Sequence, residues 1–110
     1  MLFRSRGEAY ARKLEFDRAI VDFTSILDAN PNDAFTYGRR GSANWLKGNY
    51  DRAIADFTKQ IEIEPNNPEA YRSRSLAYAD KRDNASALAD YNKAIEITRR
   101  RTEARRPQPQ

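Results

Sequence analysis

The chain has 110 residues, with 20 Lys and Arg against 16 Asp and Glu and no His or Cys, for a net charge of +4. That length makes one domain. The missing Cys and His exclude a disulfide framework, a thiol nucleophile and a zinc–thiolate site, along with the usual general base and commonest metal ligand. The sequence pI near 9.6 raises a nucleic-acid reading. The charge is local, however. The last twelve residues hold five Arg and one Glu, while residues 1–98 hold equal numbers of basic and acidic side chains.

Apolar spacing and turn residues predict six helices, at about 2–13, 17–29, 34–47, 51–63, 68–81 and 85–103. The first opens at the amino terminus, and its charges come too early for a secretory segment. The break after it is assigned to Glu15-Phe16-Asp17. In the second helix Ile20, Phe23 and Leu27 step by three and four, and Pro31 closes it. Asp33 suits a cap for the third, which Gly48-Asn49 interrupts. Asp51 opens the fourth, with Ile54, Phe57 and Ile61 on one face and Pro65 behind. Asn67-Pro68 caps the fifth. The sixth carries Leu88, Tyr91 and Ile95. Beyond it, Arg106-Pro107-Gln108-Pro109-Gln110 is expected to be disordered.

These helices repeat with a period of 34. Phe16-Asp17-Arg18-Ala19-Ile20-Val21-Asp22-Phe23-Thr24 returns as Tyr50-Asp51-Arg52-Ala53-Ile54-Ala55-Asp56-Phe57-Thr58, and more weakly as Asn84 to Asn92. Pro31 and Pro65 keep the step, as do Phe3, Tyr37 and Tyr71, and Gly7, Gly41 and Ser75. A fixed period of this length marks a stacked array of helical units. The expected units are 1–33, 34–67 and 68–101, forming a domain over 1–98, with 99–110 as an Arg-rich helix extension and a Pro/Gln tail.

The pattern resembles the tetratricopeptide repeat (TPR) family, which places an aromatic, Leu-Gly, Tyr, Ala, an aromatic and Pro along 34 residues. The second unit supplies Tyr37, Gly41, Ala53, Phe57 and Pro65; the first supplies Phe3, Gly7, Tyr10, Ala19, Phe23 and Pro31; the third supplies Tyr71, Tyr78, Ala87, Tyr91 and Ala94. The resemblance implies an all-α, right-handed superhelical solenoid of three helix-turn-helix hairpins. It also implies a non-enzymatic protein–protein interaction scaffold without cofactor or metal, binding a partner peptide or helix in a concave groove. By position, that groove takes Arg4, Glu8, Phe35, Arg39, Ser42, Trp45, Arg72, Leu76 and Asp80.

The departures from the pattern are specific. Arg6, Arg40 and Arg74 replace the usual Leu before Gly, and sixteen residues after each comes Asp22, Asp56 or Asp90. An anion-binding row and a ladder of structural ion pairs both fit, and the acid recurring in step with the base favours the ladder. Asn44 replaces the core Tyr, and Gln60 a small apolar residue, so each needs a hydrogen-bond partner. Trp45 is either a groove anchor or turns inward to fill the space the Tyr leaves. The chaperone-tail carboxylate clamp of some family members is not expected: its positions read Arg4, Glu8, Arg39, Glu69 and Ser73, where only Arg4 matches and two acids repel a carboxylate.

Two alternatives are carried. Leu88, Tyr91 and Ile95 on an uncapped last helix form a self-association face, making the chain an assembly module or homo-oligomer. The Arg-rich tail offers contact with nucleic acid or an acidic surface, but no aromatics interleave it and nucleic acid ranks last. No apolar run approaches the ~20 residues of a membrane helix, and a cytoplasmic setting is expected.

Overall fold

Turn chemistry sets the helix boundaries. The structure, a computed structural model, describes residues 2–106, with side chains from Tyr10 onward. It contains five helices: α1 (Leu2–Ala29), α2 (Ala34–Leu46), α3 (Tyr50–Ile63), α4 (Pro68–Asp80) and α5 (Asn84–Arg105). Asp33 caps α2 by accepting from the Thr36 amide at 3.1 Å. Asn67 caps α4 through the Glu69 amide at 3.0 Å, with Pro68 at the first helical position. Asp83 caps α5 through the Ser86 amide at 3.2 Å. Each cap satisfies a backbone donor that the helix itself leaves open.

The fold is an all-α repeat solenoid, with five helices rather than six. The predicted break at Glu15-Phe16-Asp17 does not form, and α1 runs through it for 28 residues, about 42 Å at 1.5 Å per residue. The reason lies at one repeat position. The α2–α3 turn needs a left-handed residue, supplied by Gly48 at φ 86°, and the α4–α5 turn uses Arg82 at φ 70°. The matching residue in the first unit is Leu14, followed by Glu15 where the others have Asn49 and Asp83. Ala11-Arg12-Lys13-Leu14-Glu15 is a run of strong helix formers with no turn residue, so the helix continues.

Two hairpins, α2–α3 and α4–α5, therefore stack beyond a single long helix. The Cα radius of gyration is 17.0 Å and the principal extents are 66 × 35 × 24 Å, against about 13 Å expected for a compact chain of this length. The core sits where α2, α3 and α4 meet. Ala53, Phe57 and Ala77 are buried there, with Trp45 and Ile54 packed on them. Gly41 lets α2 approach: a Cβ on it would lie 2.7 Å from the Phe57 ring. The small residue thus makes room for the large one across the hairpin.

Candidate interaction surfaces

The groove is built on α2 and α4. Phe35, Arg39 and Ser42 on one side face Glu69 and Ser73 on the other, around a hollow of about 160 Å³. Gln60 of α3 reaches its floor because Gly38 has no side chain; a Cβ there would lie 2.7 Å from the Gln60 amide nitrogen. Phe35 is 70% exposed, and the Arg39 guanidinium lies 5.6 Å from its ring centroid. An exposed aromatic under an arginine is a ready contact surface.

The remaining groove candidates lie outside this hollow. Arg72 donates to Glu69 Oε1 at 2.9 Å, both side chains exposed. Leu76 stands exposed on α4. Trp45 Nε1 donates to Asp80 Oδ2 at 2.5 Å, and its half-buried ring packs against the Ala53, Phe57 and Ala77 cluster. Trp45 therefore joins the second unit to the third, through its ring inward and its N–H outward. The Arg4, Arg6 and Glu8 side chains lie outside the described residues.

Two arginines sit at the seams between helices. Arg40 Nη2 meets Asp56 Oδ1 at 2.8 Å, its Nε reaches both carboxylate oxygens, and Nη1 donates to Thr24 Oγ1 at 3.2 Å. Arg74 repeats this with Asp90 at 2.7 Å through Nε and 2.7 Å through Nη2, and with Thr58 Oγ1 at 3.1 Å. Each guanidinium thus ties its own helix to the next and to the one before. The fork geometry suits arginine and not lysine. The hydrogen bonds that Arg40 and Arg74 donate to Asp56 and Asp90 raise the pKa of both arginines above the ordinary value, against the opposing effect of burial.

Thr24 and Thr58 are partners that sequence reasoning missed. The signal was present: both hold the same repeat position, sixteen residues before their arginine. Asp22 has its predicted partner, Arg6, outside the described side chains. Asn44 donates to Asp56 Oδ2 at 3.2 Å, while its own Oδ1 is buried and accepts no hydrogen bond from the described residues.

Apolar side chains remain exposed on both outer helices. Leu88, Tyr91 and Ile95 form one face of α5, and Tyr10, Leu14 and Val21 follow one stripe of α1. In the basic helix end, Arg100 pairs with Glu96 at 2.6 Å and Arg101 donates to the Asn66 carbonyl at 2.6 Å. Among the described residues no helix is long and apolar enough to cross a membrane. No three His, Cys, Asp or Glu among them gather as metal ligands would.

Stacked helical hairpins, with Gly41 making room for Phe57 in the second unit and an open groove between α2 and α4, define a repeat-type interaction scaffold. The chain belongs to the tetratricopeptide repeat family, whose model matches residues 36–67 and 68–101. Among solved structures it is similar to the crystal structure of MamA, at 29% identity and a TM-score of 0.78 over 81% of this chain and 52% of that one. A second MamA crystal structure matches at 27% identity and a TM-score of 0.79, over 87% of this chain and 52% of that one. The first TPR of Spaghetti (RPAP3), bound to the HSP90 peptide SRMEEVD, shares the fold at 23% identity and a TM-score of 0.73, over 87% of this chain and 76% of that one. The chain spans about half the length of the MamA structures it matches. No curated protein matches it significantly in sequence.

Proposed function

We propose that the protein is a non-enzymatic scaffold that binds a partner peptide or helix in the groove between α2 and α4. The observation that carries this reading is the exposed Phe35 beneath Arg39, beside Ser42 and facing Glu69 and Ser73 across an open hollow. Aromatic and arginine side chains of this kind dominate binding energy at protein interfaces. Glu69 in the same hollow disfavours a terminal carboxylate, so the occupant is an internal segment and not an acidic chain end. The test is a peptide-array screen followed by amide-shift mapping. Selected peptides should perturb Phe35, Arg39, Ser42 and Ser73, and Phe35→Ala with Arg39→Ala should weaken binding at least tenfold. Peptides that map to another face and bind the double variant unchanged overturn the assignment.

A second reading rests on α5. Leu88, Tyr91 and Ile95 hold the repeat positions that Ile54, Phe57 and Ile61 hold in α3, yet are 60%, 52% and 40% exposed. A further helix laid on that face would cover them as α4 covers α3, and a second copy can supply one. Light scattering over a concentration series tests this, with Tyr91→Lys as the variant that should keep the chain monomeric.

A further inference from the structure

Helix α1 is divided by charge near its middle. Residues 2–14 hold four basic residues and one acid, and residues 15–29 hold four acids and one Arg. The first turn has no acid and the last turn has no base, so the charges run against the helix's own dipole. The first half also lacks cover. Every side chain from Tyr10 to Glu15 is exposed, and among the described residues α1 packs on α2 alone. A stretch of this length is marginal as a free helix in water and takes its stability from packing.

One side of the helix is apolar across this divide. Tyr10, Leu14 and Val21 are spaced by four and seven, which puts them on one stripe, and all three are exposed. Leu14 and Val21, with Asp17, Arg18 and Asp22, line an open hollow of about 260 Å³. A second copy of α1 laid antiparallel about Leu14 matches the stripe position by position. Leu14 meets the partner's Leu14, and Tyr10 comes opposite the partner's Arg18, a pairing of ring and guanidinium. Val21 comes opposite the partner's Gly7, which has no side chain to block it. The arrangement sets each basic half beside an acidic one, whereas a parallel pair would set like beside like. Asp17 is held by Lys47 of α2. The acids that meet the partner's basic half are therefore Glu15, Asp22 and Asp28, all exposed.

We propose that α1 is the interface of a twofold homodimer, in which two copies pair antiparallel and each covers the other's projecting half. Such a contact is isologous, so one self-complementary stripe closes the assembly at two copies. It caps the first end of the array, where the missing turn at Leu14-Glu15 leaves the helix straight. The interface is separate from the α2–α4 groove and from the α5 row, and stands whether or not either is occupied.

Sedimentation equilibrium of the full chain and two charge variants tests this. Arg12→Glu with Lys13→Glu makes both halves of α1 acidic, and Glu15→Lys with Asp22→Lys makes both basic. All four side chains are exposed, so both variants keep the fold. The unmodified chain should dimerise, with a dissociation constant that rises at least tenfold from low to high salt. Each variant alone should weaken the dimer at least tenfold, and mixing the two should restore it as a heterodimer. Tyr91→Lys on α5 should leave it intact. A monomer at every concentration overturns the proposal, as does a dimer that both charge variants keep. Variants that lose the dimer and do not recover on mixing overturn the antiparallel pairing. A dimer lost only in Tyr91→Lys assigns association to α5 and overturns the α1 interface.

Discussion

Helices α3 and α5 carry the same apolar row at the same repeat positions, and the molecule treats the two rows differently. Phe57 in α3 is 2% exposed, while Tyr91 in α5 is 52% exposed. Ile61 and Ile95 differ in the same direction. The repeat register does not make the distinction, since Phe57 and Tyr91 stand 34 residues apart at the same repeat position. What differs is the neighbour on the far side. Among the described residues α3 lies between α2 and α4, and α5 packs on α4 alone. In a one-dimensional array, burial belongs to the interface between units, so α5 leaves Leu88, Tyr91 and Ile95 exposed on the side with no neighbour among the described residues. The same logic applies at α1, where the first unit never folds back on itself.

The sharpest way to break this comparison is truncation at matched positions. Phe57→Ala should cost about 3–5 kcal/mol, whereas Tyr91→Ala should cost less than about 1 kcal/mol. Urea denaturation of the two variants measures both, and equal losses would mean that α5 is covered in solution. Next in size is the seam. Asp56→Ala leaves Arg40 facing Thr24 and Asn44 without its carboxylate, and should cost about 2–3 kcal/mol, toward the lower end for a pair that is not fully buried. The same measurement on Asp90→Ala should give a similar figure, because the Arg74 pair is built alike.

A smaller effect tests the other end. Leu14→Gly with Glu15→Asn gives the first unit the turn residues of the second, and should cost α1 about 1 kcal/mol of helix propensity. Carbon chemical shifts should show a break at residues 13–16, and small-angle scattering a smaller radius as the first segment folds back. An unbroken helix would show that packing, not turn chemistry, holds α1 straight. The smallest effect is acid fraying of α5. The side-chain and backbone hydrogen bonds from Ser86 hold the Asp83 carboxylate below its ordinary value of 3.8. A depressed folded-state pKa stabilises above the unfolded value and is lost as pH falls through the folded one. The Ser86 amide should therefore keep its capped shift through mildly acid pH and lose it only below the ordinary carboxylate range. A shift midpoint at or above 3.8 would contradict the cap's hydrogen bonds.

Four of the five helices were legible to within about two residues because their ends are local chemistry. Asp33, Asn67-Pro68 and Gly48 act within a few residues of themselves. The missed feature, the unbroken α1, came from extending the repeat over Leu14-Glu15, where the period persists but the turn residues do not. In the candidate site, Phe35, Arg39 and Ser42 were readable as one helix face because a helix fixes which residues share a side. Trp45 was not, since its ring and its N–H answer to different neighbours, Ala77 and Asp80, both in the next unit. The Asn44 substitution was plain in the sequence. That its amide turns to Asp56 in the next helix depended on which side chains pack around it, and packing alone decides that.

The sequence was enough to fix the period, the helical character, the repeat family and the placing of charge in the last twelve residues. These follow from patterns that read along the chain: apolar spacing, caps and prolines. Which faces are covered, which arginine spans three helices and where the molecule stays open were decided only by stacking. Those properties arise between units 34 residues apart, where distance in space, not order along the chain, selects the partner.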